Sequence, residues 1–250
     1  MFGCVMQTQP DFSPDQPHIV IVTYNINFGM VNPQNVVNFL SEVDADIICL
    51  QETHKYWETF LNENLKQQYP YSIYKDFGGA GGIAILSKHQ VENVTIVEPN
   101  EGWFPAIYSD IQTPIGKVQI LNVHLKPPLS EQGSVSVSAY YDTPDLHLKE
   151  IQGFLQQIDL NKPLIIAGDF NENENDRAIN WLNNQGFTDS LSEYDMYGKT
   201  WKWKVFPLIT LKNRYDHIIF SDNFHCTGAG VIDINASDHM PVISVLTSKK

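Results

Sequence analysis

Two runs near the start of this chain, HIVIVTYNI (18–26) and ADIICLQE (45–52), each carry a continuous apolar stretch, IVIV and IICL. A strand of that kind is buried on both faces, so the sheet that holds it needs a covering layer on each side. Between and after these runs, residues 33–42 and 56–65 repeat apolar side chains at helical spacing. Val36, Val37, Phe39 and Leu40 form the first stripe, and Trp57, Phe60, Leu61 and Leu65 the second. The next segments, YSIYK, GGIAILS, VENVTIVE, FPAIYSDIQT and GKVQILNVHL, follow one another across short Gly, Pro or polar turns and read as a largely antiparallel set. A helix over 145–158, a strand in KPLIIAGDFN, a helix over 176–184 and two or three closing strands complete the pattern. The expected class is α/β, with two packed sheets sharing one core.

At 250 residues, 42% of them hydrophobic, the chain is long enough for one sizeable domain, expected over 18–250. Residues 1–17 carry prolines without periodicity and read as a flexible leader. Gly3-Cys4 leaves open a trimmed lipoprotein signal, and the compartment stays unassigned between cytoplasmic and exported. No stretch reaches the roughly 18 apolar residues of a membrane span. Three widely spaced cysteines write neither a disulfide framework nor a zinc site, and Cys49 reads as a core thiol. A formal charge of -13 argues against a broad basic face for nucleic acid, although a local basic cleft is still allowed. A monomer is expected. FGGAGG (77–82) lacks the Lys-Ser or Lys-Thr of a phosphate-binding P-loop and leads into a strand, so it reads as a hairpin turn.

Several of these strands end in side chains that bind metal or move protons. They are Asn25, Glu52, His124, and Asp169 with Asn171; Asp216 opens DHIIFS, and Asp238-His239 open the last strand. Asp169 and Asn171 share one side of an extended chain, since positions i and i+2 face the same way. Asn, Glu and Asp oxygens suit Mg²⁺ or Mn²⁺ better than zinc. With a histidine near neutral pH, they are the parts of metal-assisted phosphoester hydrolysis. Taken singly, Asn25, Glu52 and His124 are as readily turn residues or solvated strand ends.

In order along the chain, TYNI, LQET, GGIAILS, NVHL, GDFN, YDHIIFS and SDHMPV resemble the endonuclease/exonuclease/phosphatase superfamily over about residues 19–246. The resemblance implies a four-layered α/β sandwich with two central mixed β-sheets flanked by helices, and a Mg²⁺- or Mn²⁺-dependent phosphoester hydrolase. It implies that Asn25 and Glu52 hold the metal, with Asp238 beside it. Asp169 would position the attacking water, and Asn171 would support the phosphate oxygens. His239 would be a general base or phosphate-binding group oriented by Asp216, and His124 a second phosphate-binding histidine.

Departures bear on the substrate. Abasic-site endonucleases usually carry Asp where this chain has Asn27, and favour Lys where it has His54, which weakens a DNA-repair reading. Thr200-Trp201 with RYDHIIF is loosely similar to the tyrosyl-DNA phosphodiesterase branch over a short match. Residues 127–144 read as a long loop whose Tyr140 and Tyr141 could wall a pocket. TWKWK offers Trp201, Lys202 and Trp203 for stacking and phosphate contact, or an edge strand with one buried Trp face. A nuclease is the rival enzyme, and it should gather Lys126, Lys202, Lys204 and Arg214 beside the motifs. A catalytically silent binding module is the rival of another class.

Overall fold

The computed structural model describes residues 16–129, 137–206 and 209–249. In chain order the elements begin β1 (Ile19–Asn25), α1 (Pro33–Glu42), β2 (Ile47–Gln51), α2 (Lys55–Leu65), β3 (Tyr71–Lys75), β4 (Ile83–Ser87), β5 (Val91–Val97), β6 (Ala106–Thr113) and β7 (Gly116–His124). They continue α3 (Val137–Leu155), β8 (Leu164–Asp169), α4 (Arg177–Asn184), β9 (Thr188–Asp189), α5 (Leu191–Tyr194), β10 (Trp201–Phe206), β11 (Ile209–Asn213), β12 (Asp216–Phe220), β13 (Phe224–Val231) and β14 (Val242–Ser248).

Two six-stranded sheets run β13-β14-β1-β2-β4-β3 and β5-β6-β7-β8-β12-β9, with β10-β11 as a separate hairpin. Each large sheet has one parallel pair at its centre, β1 with β2 and β7 with β8, among antiparallel neighbours. A parallel pair needs a crossover on a sheet face, and α1 and α3 lie on those connections.

Period-two alternation sorts the strand residues into layers. Ile21, Ile47, Cys49 and Ile85 of the first sheet meet Ile120, Ile165, Ala167 and Ile218 of the second in one buried layer. The alternate residues of the first sheet, such as Val22, Ile48 and Leu50, pack on Val36, Leu40, Trp57 and Leu61 of α1 and α2. Those of the second, Leu121, Val123 and Ile166, pack on Ile151, Phe154, Ala178 and Leu182 of α3 and α4. The result is helix, sheet, sheet, helix, the expected four-layered sandwich, in which each fully buried Ile or Leu contributes about 1.5–3 kcal/mol.

Toward one end of the strands the inter-sheet layer turns polar. Gln51 Nε2 donates to Asn122 Oδ1 at 2.7 Å and to Thr23 Oγ1 at 3.2 Å, and Asn122 Nδ2 donates to the carbonyls of Leu50 and Ala84. The NH₂ groups of Gln51 and Asn122 both find partners, so the sheets stay joined while the layer becomes hydrophilic.

Two stretches depart from expectation: where two or three closing strands are expected after α4, the described residues hold six, β9 to β14, with the short α5 among them. The helix predicted over 145–158 begins at Val137 and runs through Pro144. Proline in a helix interior costs about 3 kcal/mol, which is why the pattern places a boundary there. The following turns, buried through Ile151, Phe154 and Leu155, offset that cost. The long loop expected over 127–144 is therefore partly helical, and residues 130–136 lie outside the described residues, as do residues 1–15 with Cys4. Gly79–Gly81 form one short turn between antiparallel β3 and β4, as expected. Cys49 and Cys226 are buried free thiols. Among the described residues no helix is long and apolar enough to cross a membrane.

Candidate active site

The polar end of the inter-sheet layer is where the strand-end residues meet. Asn25 closes β1, His124 closes β7, Asp169 closes β8 and Asp216 opens β12. All four fall on the inner face, in register with Ile21, Ile120, Ile165 and Ile218 two or four residues away. Strand pairing sets His124 and Asp216 directly beside Asp169, one on each side. Gly168 lets β8 pass close to β7, since a Cβ there would sit 2.0 Å from the Val123 carbonyl oxygen. Gly82, just before β4, does the same for the turn after β2, since a Cβ there would lie 1.6 Å from the Thr53 oxygen. That contact anchors the turn on which Glu52 takes a left-handed φ of 60°.

Asp169 is the centre of the buried group. Its Oδ2 accepts from Asn25 Nδ2 at 3.0 Å and faces His239 Nε2 at 3.6 Å and His124 Nε2 at 3.7 Å, while Oδ1 accepts the Asn171 N–H at 2.9 Å. His239 Nδ1 donates to Asp216 Oδ2 at 2.8 Å, which aims Nε2 at Asp169. The backbone N–H of Asp216 is fixed in turn by Thr200 Oγ1 at 3.0 Å. Burial alone would lower the His239 pKa, but the Asp216 and Asp169 carboxylates outweigh it and raise it from 6.5 to about 10. Burial pushes Asp169 above the ordinary carboxylate value, against the pull of His239. Burial lowers His124, which keeps that ring neutral; it stacks on Phe104 at 4.7 Å. The site thus pairs a charged imidazole with an unusually basic carboxylate.

Beside it lies an oxygen-rich wall. Glu52 Oε1 accepts from Asn25 Nδ2 and Oε2 from the Phe28 N–H, both at 3.0 Å. Asn27 links the two halves of this wall: its N–H donates to Asn25 Oδ1 at 3.1 Å and its Nδ2 to Asp238 Oδ1 at 3.0 Å. Asp238 Oδ2 accepts from Trp201 Nε1 at 3.2 Å. Desolvation opposes ionisation of Asp238, but His239 and the Asn27 and Trp201 donors hold its carboxyl below the ordinary value. Two carboxylates with unused lone pairs fit a hard divalent cation. Asn25 Oδ1 accepts the Asn27 N–H and keeps a second lone pair, while its NH₂ donates to Glu52 and Asp169, so it also orients two carboxylates. Asn27 was legible only as a departure from a repair-enzyme pattern, because its role depends on Asp238, 211 residues away. Asp169, Asp216 and His239 also bring ligand-type atoms within 4.8 Å of one another, a buried Asp-Asp-His cluster.

Both groups open on one cleft of about 790 Å³. Glu52, His124, Asp169, Asn171, Asp238 and His239 line its polar side, and Phe28, Leu129, Trp201, Trp203, Leu211 and Tyr215 its apolar side. Trp203 and Leu211 are directly opposed across the β10-β11 hairpin, and the Trp201 ring lies 5.2 Å from that of Tyr215.

The substrate-binding expectations divide. Trp201 and Trp203 reach the cleft. Lys202, one residue out of phase, points away and pairs with Asp233 at 2.8 Å, as the alternation of an edge strand requires. Arg214 is a correction: it is 1% exposed and donates to the carbonyls of Asp195 and Gly198, so its fork is spent inside the protein. Lys126 is buried as well, its ammonium 4.7 Å from the centre of the Trp103 ring. Tyr140 and Tyr141 fall in the first turns of α3, and their side chains lie outside the described residues. His54, the other departure from the repair pattern, caps α2 by accepting from the Tyr56 and Trp57 N–H groups.

The same arrangement of sheets recurs in known structures. TDP2 of D. rerio complexed with a single-strand DNA product superposes with a TM-score of 0.74 at 15% identity, covering 92% of this chain and 99% of that one. A truncated TDP2 of Caenorhabditis elegans gives 0.69 at 18% identity, over 92% and 98% of the two chains. An AP endonuclease from Archaeoglobus fulgidus gives 0.69 at 19% identity, over 90% and 98%. At such identities the likeness is one of fold. The model of the endonuclease/exonuclease/phosphatase family, however, matches residues 22–239, from the second half of β1 to His239 itself. The chain belongs to the endonuclease/exonuclease/phosphatase family.

Proposed function

We propose that the protein is a Mg²⁺- or Mn²⁺-dependent phosphoester hydrolase, in which Asp169 takes the proton of an attacking water and His239 holds the phosphate. Members of the family are in general divalent-metal-dependent phosphoester hydrolases. The observation that carries the reading is the buried Asp169–His239–Asp216 line, which opens on the same cleft as Glu52 and Asp238. Asp169, made more basic by burial, is suited to accept a proton, and His239, kept charged by two carboxylates, is suited to meet an anionic phosphate. This favours the phosphate-binding role over the general-base role for His239. His124, neutral and beside Asp169, offers a hydrogen bond without charge. Asn171 spends one N–H of its amide on the Leu125 carbonyl and has the other for a phosphate oxygen. Glu52 and Asp238 would hold the cation, which supplies Lewis-acid polarisation of a phosphoryl oxygen.

The charges predict a pH profile. The His239 imidazolium is lost as pH rises through about 10, so kcat/KM should hold its plateau well past neutrality and fall there. Asp169 must ionise to act, so activity should rise with pH above the ordinary carboxylate range. The folded state shares the dependence: stability contributed by charged His239 is complete below pH 6.5 and lost through about 10. In His239→Ala the alkaline fall should disappear, as read from kcat/KM and thermal unfolding between pH 5 and 11.

The cleft also supports a substrate class. Among its described lining residues Lys212 is the one lysine or arginine, whereas a long nucleic-acid strand is held by several phosphate contacts. A small ester, with one phosphate at His239 and an aromatic or apolar group against Trp201 and Trp203, suits this lining. The likeness to a TDP2 complexed with single-strand DNA product favours a second reading, in which the tryptophans stack on bases. The test compares small phosphoesters with oligonucleotides of rising length over 50–200 mM salt. The small-ester reading expects kcat/KM to gain less than about threefold with length and to change little with salt. A strand held by 6–10 phosphates would instead lose about 10³–10⁵ in affinity over that range.

A further inference from the structure

Behind the cleft, Glu172 is 1% exposed, and its Oε2 and its backbone carbonyl are both hydrogen-bonded. Its Oε2 accepts the N–H groups of Ala178 at 2.8 Å and Ile179 at 3.3 Å, in the first turn of α4. Its Oε1 faces His147 Nδ1 of α3 at 3.3 Å, and neither atom has another partner. His147 Nε2 donates to the Lys126 carbonyl at 2.7 Å, and the Glu172 carboxylate 3.3 Å from Nδ1 favours a second proton there. On the other side of the segment, His217 Nε2 donates to the Glu172 carbonyl at 2.9 Å, while His217 Nδ1 is held by Asp189 at 2.9 Å. Two buried histidines from different elements therefore close on one residue. Burial alone would discharge both rings, but Glu172 for His147 and Asp189 for His217 outweigh it and raise both.

The neighbour of Glu172 explains what this frame is for. Asn171 has a left-handed φ of 50°, its N–H donates to Asp169 Oδ1 and its amide donates to the Leu125 carbonyl. Asn tolerates this conformation better than most residues, and here both hydrogen bonds hold it. Lys126, held by His147, follows that same Leu125, so the frame fixes the ends of both β7 and β8.

We propose that Glu172 is a positioning residue: gripped by His147, His217 and the first turn of α4, it holds Asn171 and Asp169 in the shape the cleft uses. The proposal rests on the hydrolase reading for its kinetic consequence, but its structural content stands apart from it. In sequence it is the residue after GDFN, which shows nothing of the two histidines that find it.

The test sets Glu172→Gln against Glu172→Ala, with His147→Gln as a milder cut at the same joint. Glutamine keeps an oxygen for α4 and can donate its NH₂ to a neutral His147; alanine does neither. A misplacement of about 1 Å costs on the order of 10²-fold, so kcat should fall about that much in the Ala variant at unchanged KM, with Gln within about fivefold of wild type. Amide exchange over residues 170–174 should quicken in Ala and not in Gln, and His147→Gln should fall between, with thermal unfolding confirming that the variants are folded. If the Ala variant fails to fold, the His147→Gln comparison decides, where unchanged kcat and exchange overturn the proposal. Equal losses in Gln and Ala, or a rise in KM alone, overturn it too. A wild-type chain inactive on every phosphoester would count against the hydrolase reading only, and the exchange measurements would still decide the frame.

Discussion

Replacing Asp169 with Asn is expected to lower phosphoester turnover by about 10³-fold or more, within the range a positioned proton acceptor contributes. The change is nearly isosteric, and an Asn oxygen can still accept the Asn171 N–H that Asp169 Oδ1 accepts at 2.9 Å. What is lost is the second oxygen. Oδ2 takes the Asn25 N–H at 3.0 Å and faces two imidazoles, and an NH₂ there cannot accept a proton from water. His239 also loses one of the two carboxylates that keep it charged, so the alkaline fall in kcat/KM should move to lower pH. Steady-state kinetics across pH, with unfolding curves to show an intact fold, checks both effects. Turnover within tenfold of wild type would remove Asp169 from the proton path.

The second large effect is expected at Glu52. Glutamine keeps an oxygen for the Phe28 N–H but removes the charge from the wall that faces the cleft. Metal affinity should drop by at least about 10²-fold, since even groups one shell beyond a ligand cost 10–100-fold. Calorimetric titration with Mn²⁺ reads this directly, and activity lost at low metal should return in part at high metal. Asn25→Ala should behave differently. It removes the amide that donates to both Glu52 and Asp169, so excess metal should restore it less well.

The layered fold could be read in advance because period-two and helical stripes report burial, and burial decides which face of each element turns inward. Val22, Ile48 and Trp57 fell where their spacing put them. The same rule carries most of the site. Continue the inner-face series of β1, β7 and β8 by one or two steps past its last isoleucine or alanine, and it lands on Asn25, His124 and Asp169. What the pattern does not carry are partners set by tertiary contact alone. Asn27 matters through Asp238, and Glu172 through His147 and His217, each on a separate element. Arg214 misled for the converse reason: a cation beside a motif looks available until Asp195 and Gly198 close over it. Lys202 misled by one residue of strand phase. Pro144 hid the start of α3 because a local rule was outweighed by packing elsewhere along the same helix.

The cleft at the ends of β1, β7, β8 and β12 is proposed to hydrolyse phosphoesters with a divalent cation held by oxygens. The most direct measurement is turnover of a phosphoester panel, spanning small mono- and diesters, DNA, RNA, inositol phosphates and sphingomyelin, with Mg²⁺, with Mn²⁺ and with EDTA. Hydrolysis of at least one member is expected with either metal, abolished by EDTA and restored by adding the metal back. Hydrolysis that survives EDTA, or no turnover of any member together with no Mg²⁺ or Mn²⁺ binding by calorimetry, would contradict this reading.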